Sequence, residues 1–141
     1  KNCTIGVDVM VGFPNESEKD FNETYNFLHD LPVSYFHVFP FSERDNTIAA
    51  NMQNKIPLDV RYARAKVLRK LSKIKFQNIQ ENNIGLIRPV LFEMSDEVYI
   101  SGLTDNYLRV KIPKNTMIKE NSIYDVNLLR LDGDQLIGEL H

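Results

Sequence analysis

Two strand-length apolar runs on either side of one amphipathic stretch constrain the fold of this chain more than any other feature. The first run, residues 5–12, is rich in valine, and the second, residues 34–41, is heavily aromatic. Between them, apolar residues recur from Phe21 to Leu31 at spacings of four, three and three, which is one face of an α-helix. Ser17 is predicted to cap this helix, with Asp20 three residues later. Two strands joined by a helix through short connections run parallel, so the pattern predicts an α/β domain.

A second, longer helix is predicted from Pro57 to about Gln80. The residues expected on its apolar stripe are Val60, Ala63, Val67, Leu71 and Ile74. Its other faces carry seven basic residues against the lone acid Asp59, namely Arg61, Arg64, Lys66, Arg69, Lys70, Lys73 and Lys75. This asymmetry predicts a phosphate-facing surface that includes Arg64 and Lys70, with an ordinary solvated helix face as the alternative.

From residue 88 onward the pattern changes to five short alternating runs, at 90–94, 98–103, 107–112, 124–131 and 136–140. Five short strands in so small a segment predict a closed antiparallel β-barrel, because an open sheet of that size leaves two bare edges. Asn82, Asn83 and Gly85 break the preceding helix. The sequence therefore predicts an α/β domain over residues 1–83 and an all-β domain over residues 84–141.

The composition of the chain limits the classes of function that it can have. A formal net charge of −2 gives no global sign of nucleic-acid binding, so any positive surface must be local. The longest apolar runs are strand-length, which predicts no membrane span. Cys3 is the only cysteine, which agrees with a reducing cytoplasm, and Cys3 and the three histidines do not form a metal-binding set. The chain opens without an initiator methionine, as expected of a segment of a longer protein.

Three stretches, in order, resemble the radical-SAM tRNA methylthiotransferases. Residues 8–17 read D-V-M-V-G-F-P-N-E-S, similar to the family's I-V-G-F-P-G-E-T. Residues 37–52 read H-V-F-P-F-S-E-R-D-N-T-I-A-A-N-M, similar to H-V-F-P-Y-S-x-R-P-G-T-x-A-A-x-M. V-L-F-E at 90–93 and G-L-T-D-N-Y-L-R-V at 102–110 are similar to the family's TRAM domain, and the N-Y-x-R-V form resembles the threonylcarbamoyladenosine branch more than the isopentenyladenosine branch.

The resemblance implies the end of a TIM-like partial radical-SAM barrel followed by a five-stranded, OB-like TRAM barrel. The full-length enzyme would methylthiolate C2 of a hypermodified adenosine beside the anticodon of cytoplasmic tRNA. It would use S-adenosylmethionine and two 4Fe–4S clusters. The cluster motif C-x-x-x-C-x-x-C is absent here, so the chain itself is expected to bind no cluster and to be inactive.

The resemblance also implies a cofactor site at the ends of the two parallel strands, where barrel enzymes place their sites. The predicted cofactor-binding residues are Met10, Gly12, Phe13, Phe41, Ser42 and Arg44. An ordinary strand-to-helix turn at Gly12 and a solvated loop arginine at Arg44 are the alternatives. Asn15 and Asn46 replace glycines of the family pattern, and asparagine is the residue that best tolerates the left-handed backbone after glycine.

In the barrel, Tyr107, Arg109 and Lys111 alternate along one predicted strand and so share a face. An aromatic ring flanked by cations suits RNA, because the ring stacks on an unpaired base while the cations meet phosphates. The predicted partner is the tRNA anticodon stem-loop. The alternative places Tyr107 in the core and Arg109 at the rim.

Two other classes of protein stay open at this point. One is a stand-alone RNA-binding adaptor without catalysis, and the other is a fragment of a metabolic α/β barrel with an accessory β domain. Val7, Val9 and Val11 are expected to belong to a sheet whose first strands are missing. Such a sheet has an open edge and an uncovered face, which predicts self-association.

Overall fold

The computed structural model describes residues 3–114 and 117–141 of the chain. Two compact units are present, one of them Ile5–Phe76 and the other built around residues 77–141. The division between them falls inside the long second helix, whereas the predicted boundary after residue 83 follows that helix. Lys1 and Asn2, which the predicted first domain includes, lie outside the described residues.

The first unit contains the predicted strand–helix–strand motif. Its elements are β1 (Gly6–Val11), α1 (Glu18–Asp30), β2 (Tyr35–Pro40), a 3₁₀ turn (Ala49–Asn51) and the part of α2 (Leu58–Glu81) up to Phe76. The two strands pair in parallel, from Gly6 opposite Tyr35 to Val11 opposite Pro40. Ser17 caps α1 as predicted, because its side chain accepts the Asp20 N–H while the Asp20 carboxylate accepts the Ser17 N–H at 2.8 Å.

The β1–β2 sheet has one covered face and one uncovered face. Val11 is buried, and Val7 and Val9 pack against the same cluster as the apolar side chains of α1 and α2. The valine face is therefore the covered face of the sheet. The uncovered face is the opposite one, where Met10 and Phe39 are 57% and 52% exposed. Side chains alternate across a strand, so Met10 and Val11 point to opposite faces of the sheet.

The helix α2 also buries a different face from the predicted one. Val67 and Ile74, expected on the apolar stripe, are 44% and 49% exposed, and Ala63 is exposed as well. The residues that α2 buries before Phe76 are Arg61, Arg64, Ala65, Leu68, Leu71 and Ser72. Hydrophobic periodicity assigns arginine to the solvent side of a helix. It therefore misassigns the buried face of α2, because that face begins with two arginines.

The second unit is a closed barrel of five strands, as predicted. The strands are β3 (Ile87–Ser95), β4 (Tyr99–Thr104), β5 (Arg109–Pro113), β6 (Ser122–Asp132) and β7 (Gln135–Leu140), in the order β3-β4-β5-β7-β6. The prediction that all pairs are antiparallel is wrong, because β5 and β7 run parallel. An odd number of strands cannot alternate in direction around a closed ring, so one pair must be parallel.

The barrel is filled by side chains that have no exposed surface, namely Val90, Phe92, Leu108, Val110, Val126, Leu128 and Leu136. At Gly102, a β-carbon would lie 2.1 Å from the carbonyl oxygen of Leu91, so β3 and β4 approach each other too closely for any other residue. Within the described ranges, no helix combines the length and apolar character needed to cross a membrane.

Candidate functional site

The loop after β1 is held in place by a buried ion pair. The Gly12 N–H donates to Glu16 Oε2 at 2.7 Å, and Arg64 Nη1 donates to Glu16 Oε1 at 2.7 Å and to the Glu16 carbonyl at 3.0 Å. Only 8% of the Arg64 side chain is exposed. Charge-assisted bonds of this length are strong, so Arg64 fixes the loop to the helix α2.

The loop after β2 is held by a second arginine from the same helix. Arg61 donates through Nη1 to the Phe41 carbonyl at 3.1 Å and through Nη2 to Glu43 Oε1 at 3.1 Å. Its Nε donates to the Ile56 carbonyl at 2.7 Å, and its guanidinium lies 5.3 Å from the centre of the Phe41 ring. Hydrogen bonds from Lys55 and Arg61 hold the pKa of the Glu43 carboxyl below its usual range. The carboxyl ends of both parallel strands are therefore anchored by arginines.

Gly12 has a structural reason to be glycine. Its φ is +78°, and a β-carbon there would lie 2.4 Å from Cγ of Arg61. The ordinary strand-to-helix turn thus accounts for this glycine by packing alone, and its predicted contact with a cofactor stays a prediction. Asn15 and Asn46 have φ values of 71° and 64°, which confirms that both asparagines take the left-handed conformation.

Apart from Met10, which lies in β1, the predicted cofactor residues lie on the two loops, and they do not all line one cavity. Met10 is exposed on the uncovered sheet face, and the Phe13 ring packs edge-on against Phe41 with centroids 5.1 Å apart. Ser42 and Arg44 are exposed. An open cleft of about 370 Å³ is lined by Pro40, Phe41, Ser42, Glu43, Leu58, Arg61 and Tyr62.

Two of the predicted residues, Phe41 and Ser42, line this cleft, whereas Met10, Gly12, Phe13 and Arg44 do not. Leu58 and Tyr62 also line the cleft, but they were not predicted as site residues. Their exposed fractions are 62% and 58%. Apolar residues at the start of a helix but off its buried stripe are the sequence signal that identifies them.

The basic residues of α2 do not form one phosphate-facing surface. Arg61 and Arg64 are buried and paired, which opposes the predicted RNA contact of Arg64. Arg69 Nη2 donates to the Val38 carbonyl at 2.9 Å, and Lys75 Nζ donates to the Leu31 carbonyl at 2.9 Å. The basic residues left exposed on one stripe of the helix are Lys66, Lys70 and Lys73.

Tyr107 lies in the turn between β4 and β5, so it does not alternate along one strand with Arg109 and Lys111 as predicted. The Tyr107 residue is 75% exposed, which contradicts the alternative that places it in the core. Arg109 opens β5 and is exposed. The exposed ring and the exposed guanidinium therefore lie two residues apart on the surface of the barrel.

Lys111 is more tightly engaged than Arg109. Its Nζ lies 2.9 Å from Asp132 Oδ2 and 5.0 Å from the centre of the Tyr99 ring. The hydrogen bond to Asp132 raises the pKa of Lys111, and the same bond lowers the pKa of Asp132. Tyr99 was not predicted; the antiparallel register, with Ser101 opposite Lys111, explains why Tyr99 reaches Lys111.

The donor atoms in this chain do not fit a 4Fe–4S cluster. Cys3 is a free, exposed thiol, and no group of three or more histidine, cysteine or acidic side chains suited to a metal occurs among the described residues. Such a cluster needs three or four thiolates from the protein. No step of a reaction is therefore assigned to a cluster in this chain.

No protein-family model matches the chain. It is 41% identical over 109 residues to threonylcarbamoyladenosine tRNA methylthiotransferase MtaB of Aquifex aeolicus, covering 77% of this chain and 25% of the relative. It is 34% identical over 133 residues to the enzyme of the same name from Chlamydia pneumoniae, covering 94% and 32%. It is 36% identical over 107 residues to tRNA-2-methylthio-N(6)-dimethylallyladenosine synthase of Staphylococcus epidermidis, covering 74% and 21%. The chain thus spans less than a third of the length of these relatives.

Proposed function

Because this chain is homologous to the tRNA methylthiotransferases over most of its length, we propose that it forms the C-terminal part of such an enzyme. In this role the first unit supplies one side of the S-adenosylmethionine pocket, and the barrel binds tRNA. The rest of the enzyme supplies the cysteines that hold the clusters. This chain alone is inactive.

The proposed reaction is methylthiolation of C2 of threonylcarbamoyladenosine beside the anticodon of cytoplasmic tRNA. Support for this branch comes from the N-Y-x-R-V sequence at 106–110 and from the identity of 41% to the Aquifex aeolicus enzyme, against 36% to the dimethylallyladenosine synthase. In the full enzyme, S-adenosylmethionine would supply the radical that abstracts hydrogen, with the electron for its cleavage coming from a cluster held by another part of the enzyme.

The proposed cofactor residues lie at the end of β1 and on the two arginine-held loops. Phe41 and Ser42 line the cleft at the end of β2. The ring of Phe13 packs against Phe41, and both Met10 and Phe13 offer exposed apolar surface. Gly12 and Arg44 complete the set. Arg61 and Arg64 contribute by fixing the loops before a ligand arrives, which reduces the ordering cost of binding.

The observation that carries the RNA proposal is the exposed ring of Tyr107 two residues before the exposed Arg109. Base stacking on an aromatic ring and a cation for a neighbouring phosphate are the elements by which proteins hold unpaired nucleotides. The proposed partner is therefore the anticodon stem-loop, whose loop bases are unpaired. The exposed lysines Lys66, Lys70 and Lys73 of α2 form the second surface to consider.

A binding comparison tests this proposal directly. Fluorescence anisotropy is measured for the chain with an anticodon stem-loop and with a fully paired RNA duplex of the same number of nucleotides. Stacking on an unpaired base contributes about 1–3 kcal/mol, so the stem-loop is expected to bind roughly 5- to 150-fold more tightly. Equal affinity for the two RNAs contradicts the proposal.

A further inference from the structure

Tyr107 combines backbone strain with exposure. Its φ of +63° lies in the left-handed region, which bulky residues rarely adopt. The residue is 75% exposed, so burial of the ring does not offset this strain. Glycine in this turn would remove the strain and asparagine would tolerate it better, yet the chain carries a tyrosine there.

The turn beneath Tyr107 is held by the buried residue Thr104. The Tyr107 N–H donates to the Thr104 carbonyl at 2.9 Å, and the Leu108 N–H donates to the Thr104 hydroxyl at 2.8 Å. The Thr104 N–H in turn donates to the Leu108 carbonyl at 3.0 Å. Thr104 and Leu108 are 4% and 0% exposed, so the turn closes on a fixed base.

A second layer of buried amides holds Thr104 itself. Its hydroxyl donates to Asn106 Oδ1 at 2.6 Å, and Asn106 Nδ2 donates to Asn83 Oδ1 at 3.3 Å. Asn83 Nδ2 donates to the Ile79 carbonyl at 2.7 Å. Asn83 and Asn106 are 2% and 5% exposed. Buried amides that are hydrogen-bonded in this way stiffen the structure around them.

An ion pair fixes the same turn from its other side. Arg88 Nη1 donates to both carboxylate oxygens of Asp105, at 3.0 and 3.2 Å, and Arg88 Nε donates to Asn83 Oδ1 at 3.0 Å. The Asp105 N–H donates to the Pro89 carbonyl at 3.2 Å. Each residue from Thr104 to Leu108 is thus bonded through its backbone, its side chain or both.

We propose that the Thr104–Asn106–Asn83 network is a positioning device that holds the backbone of Tyr107 in its strained conformation, so that the ring is presented at the barrel surface to stack on an unpaired RNA base. Strained residues persist only where their surroundings determine them, and they cluster at binding sites. This inference rests on the proposed RNA binding and deepens it. Tyr107 makes the contact, while Thr104 and Asn106 are positioning residues.

The device predicts opposite effects of one substitution on stability and on binding. Tyr107→Gly removes the strain, so the melting temperature is expected to rise by about 2–6 °C. The same variant loses the stacking ring, so affinity for the anticodon stem-loop is expected to fall roughly 5- to 150-fold. Tyr107→Phe keeps ring and strain, and it is the matched control with unchanged melting temperature and affinity. A lower melting temperature for Tyr107→Gly, or an unchanged affinity, overturns the proposal.

A double-variant cycle separates positioning from general stability. Asn106→Ala is expected to weaken RNA binding in the parent but to cause no further loss in the Tyr107→Gly background. Its effect on the melting temperature is expected to be the same in both backgrounds. If the loss of affinity is also the same in both, Asn106 does not act through Tyr107 and the proposal fails.

Two further variants keep the test decisive. If Asn106→Ala does not fold, Thr104→Val replaces it in the cycle, with Thr104→Ser, which keeps the hydroxyl, as its control. Arg109→Ala distinguishes the two proposals: a loss of RNA affinity in Arg109→Ala without a loss in Tyr107→Gly rejects the device and leaves RNA binding by the barrel intact. No loss in either variant rejects both.

Discussion

The helix α2 and the strand β5 both carry basic residues at regular spacing, but the structure uses them in opposite ways. In α2, Arg61 and Arg64 point inward and are only 4% and 7% exposed. In β5, Arg109 points outward and is exposed. The sequence pattern alone assigned both sets to the same task, contact with RNA phosphates.

The difference lies in the groups that each element meets. The start of α2 packs beside the carboxyl ends of two parallel strands, where carbonyls and acids need donors; Arg61 and Arg64 supply them to Phe41, Glu43 and Glu16. The strand β5 has a strand on either side, so neighbours satisfy its backbone and alternate side chains stand outward. The role of an arginine is thus determined by the unsatisfied acceptors within its reach.

The largest expected effect is the loss of stability when Arg64, one of the two inward-pointing arginines of α2, is removed. Arg64→Ala leaves the Glu16 carboxylate half-buried without its partner, so the free energy of unfolding of the first unit should fall by about 3–5 kcal/mol. Urea unfolding followed by circular dichroism measures this change. Lys70→Ala, an exposed cation of the same helix, is the control and should change stability by less than about 0.5 kcal/mol. Equal effects of the two variants would show that Arg64 does not anchor the loop.

A smaller loss of stability is expected when the ion pair between Lys111 of β5 and Asp132 is broken. The pKa of Asp132 is held below its ordinary value of 3.8 by the hydrogen bond from Lys111. A carboxyl whose pKa is lowered on folding contributes stability above its unfolded pKa and loses it as the pH falls through the folded pKa. Asp132→Asn should therefore lower the melting temperature slightly at neutral pH, and this difference should shrink as the pH falls below 3.8. A difference that persists at about pH 2 would contradict an ionic role for this pair.

The regular elements were predictable from local signals. Ser17 and Asp20 form the capping box that their spacing predicts, and all five barrel runs are strands because each alternates and ends at turn residues. The face of α2 was not predictable in the same way, since the strand-end acceptors that draw Arg61 and Arg64 inward come from distant parts of the chain.

Tyr107 shows a second limit of sequence patterns. Alternation placed it on a strand with Arg109, but buried hydrogen bonds from Thr104 close a turn just before β5. Asn83, 23 residues away in sequence from Asn106, takes part in that network, and no local pattern joins the two. The predicted exposure of the ring was confirmed, whereas the backbone that presents it was visible only in the structure.

The salt dependence of RNA binding tests most directly whether RNA phosphates contact Arg109 of the barrel rather than the exposed lysines of α2, the helix whose Arg61 and Arg64 serve the fold. Anisotropy titrations with the anticodon stem-loop at three salt concentrations give the slope of log affinity against log salt for the parent, Arg109→Ala and Lys70→Ala. Loss of one phosphate contact reduces the magnitude of the slope by about 0.7–0.9. We expect this reduction in Arg109→Ala and an unchanged slope in Lys70→Ala. A reduced slope in Lys70→Ala with the parental slope in Arg109→Ala would contradict this expectation and place the RNA on α2.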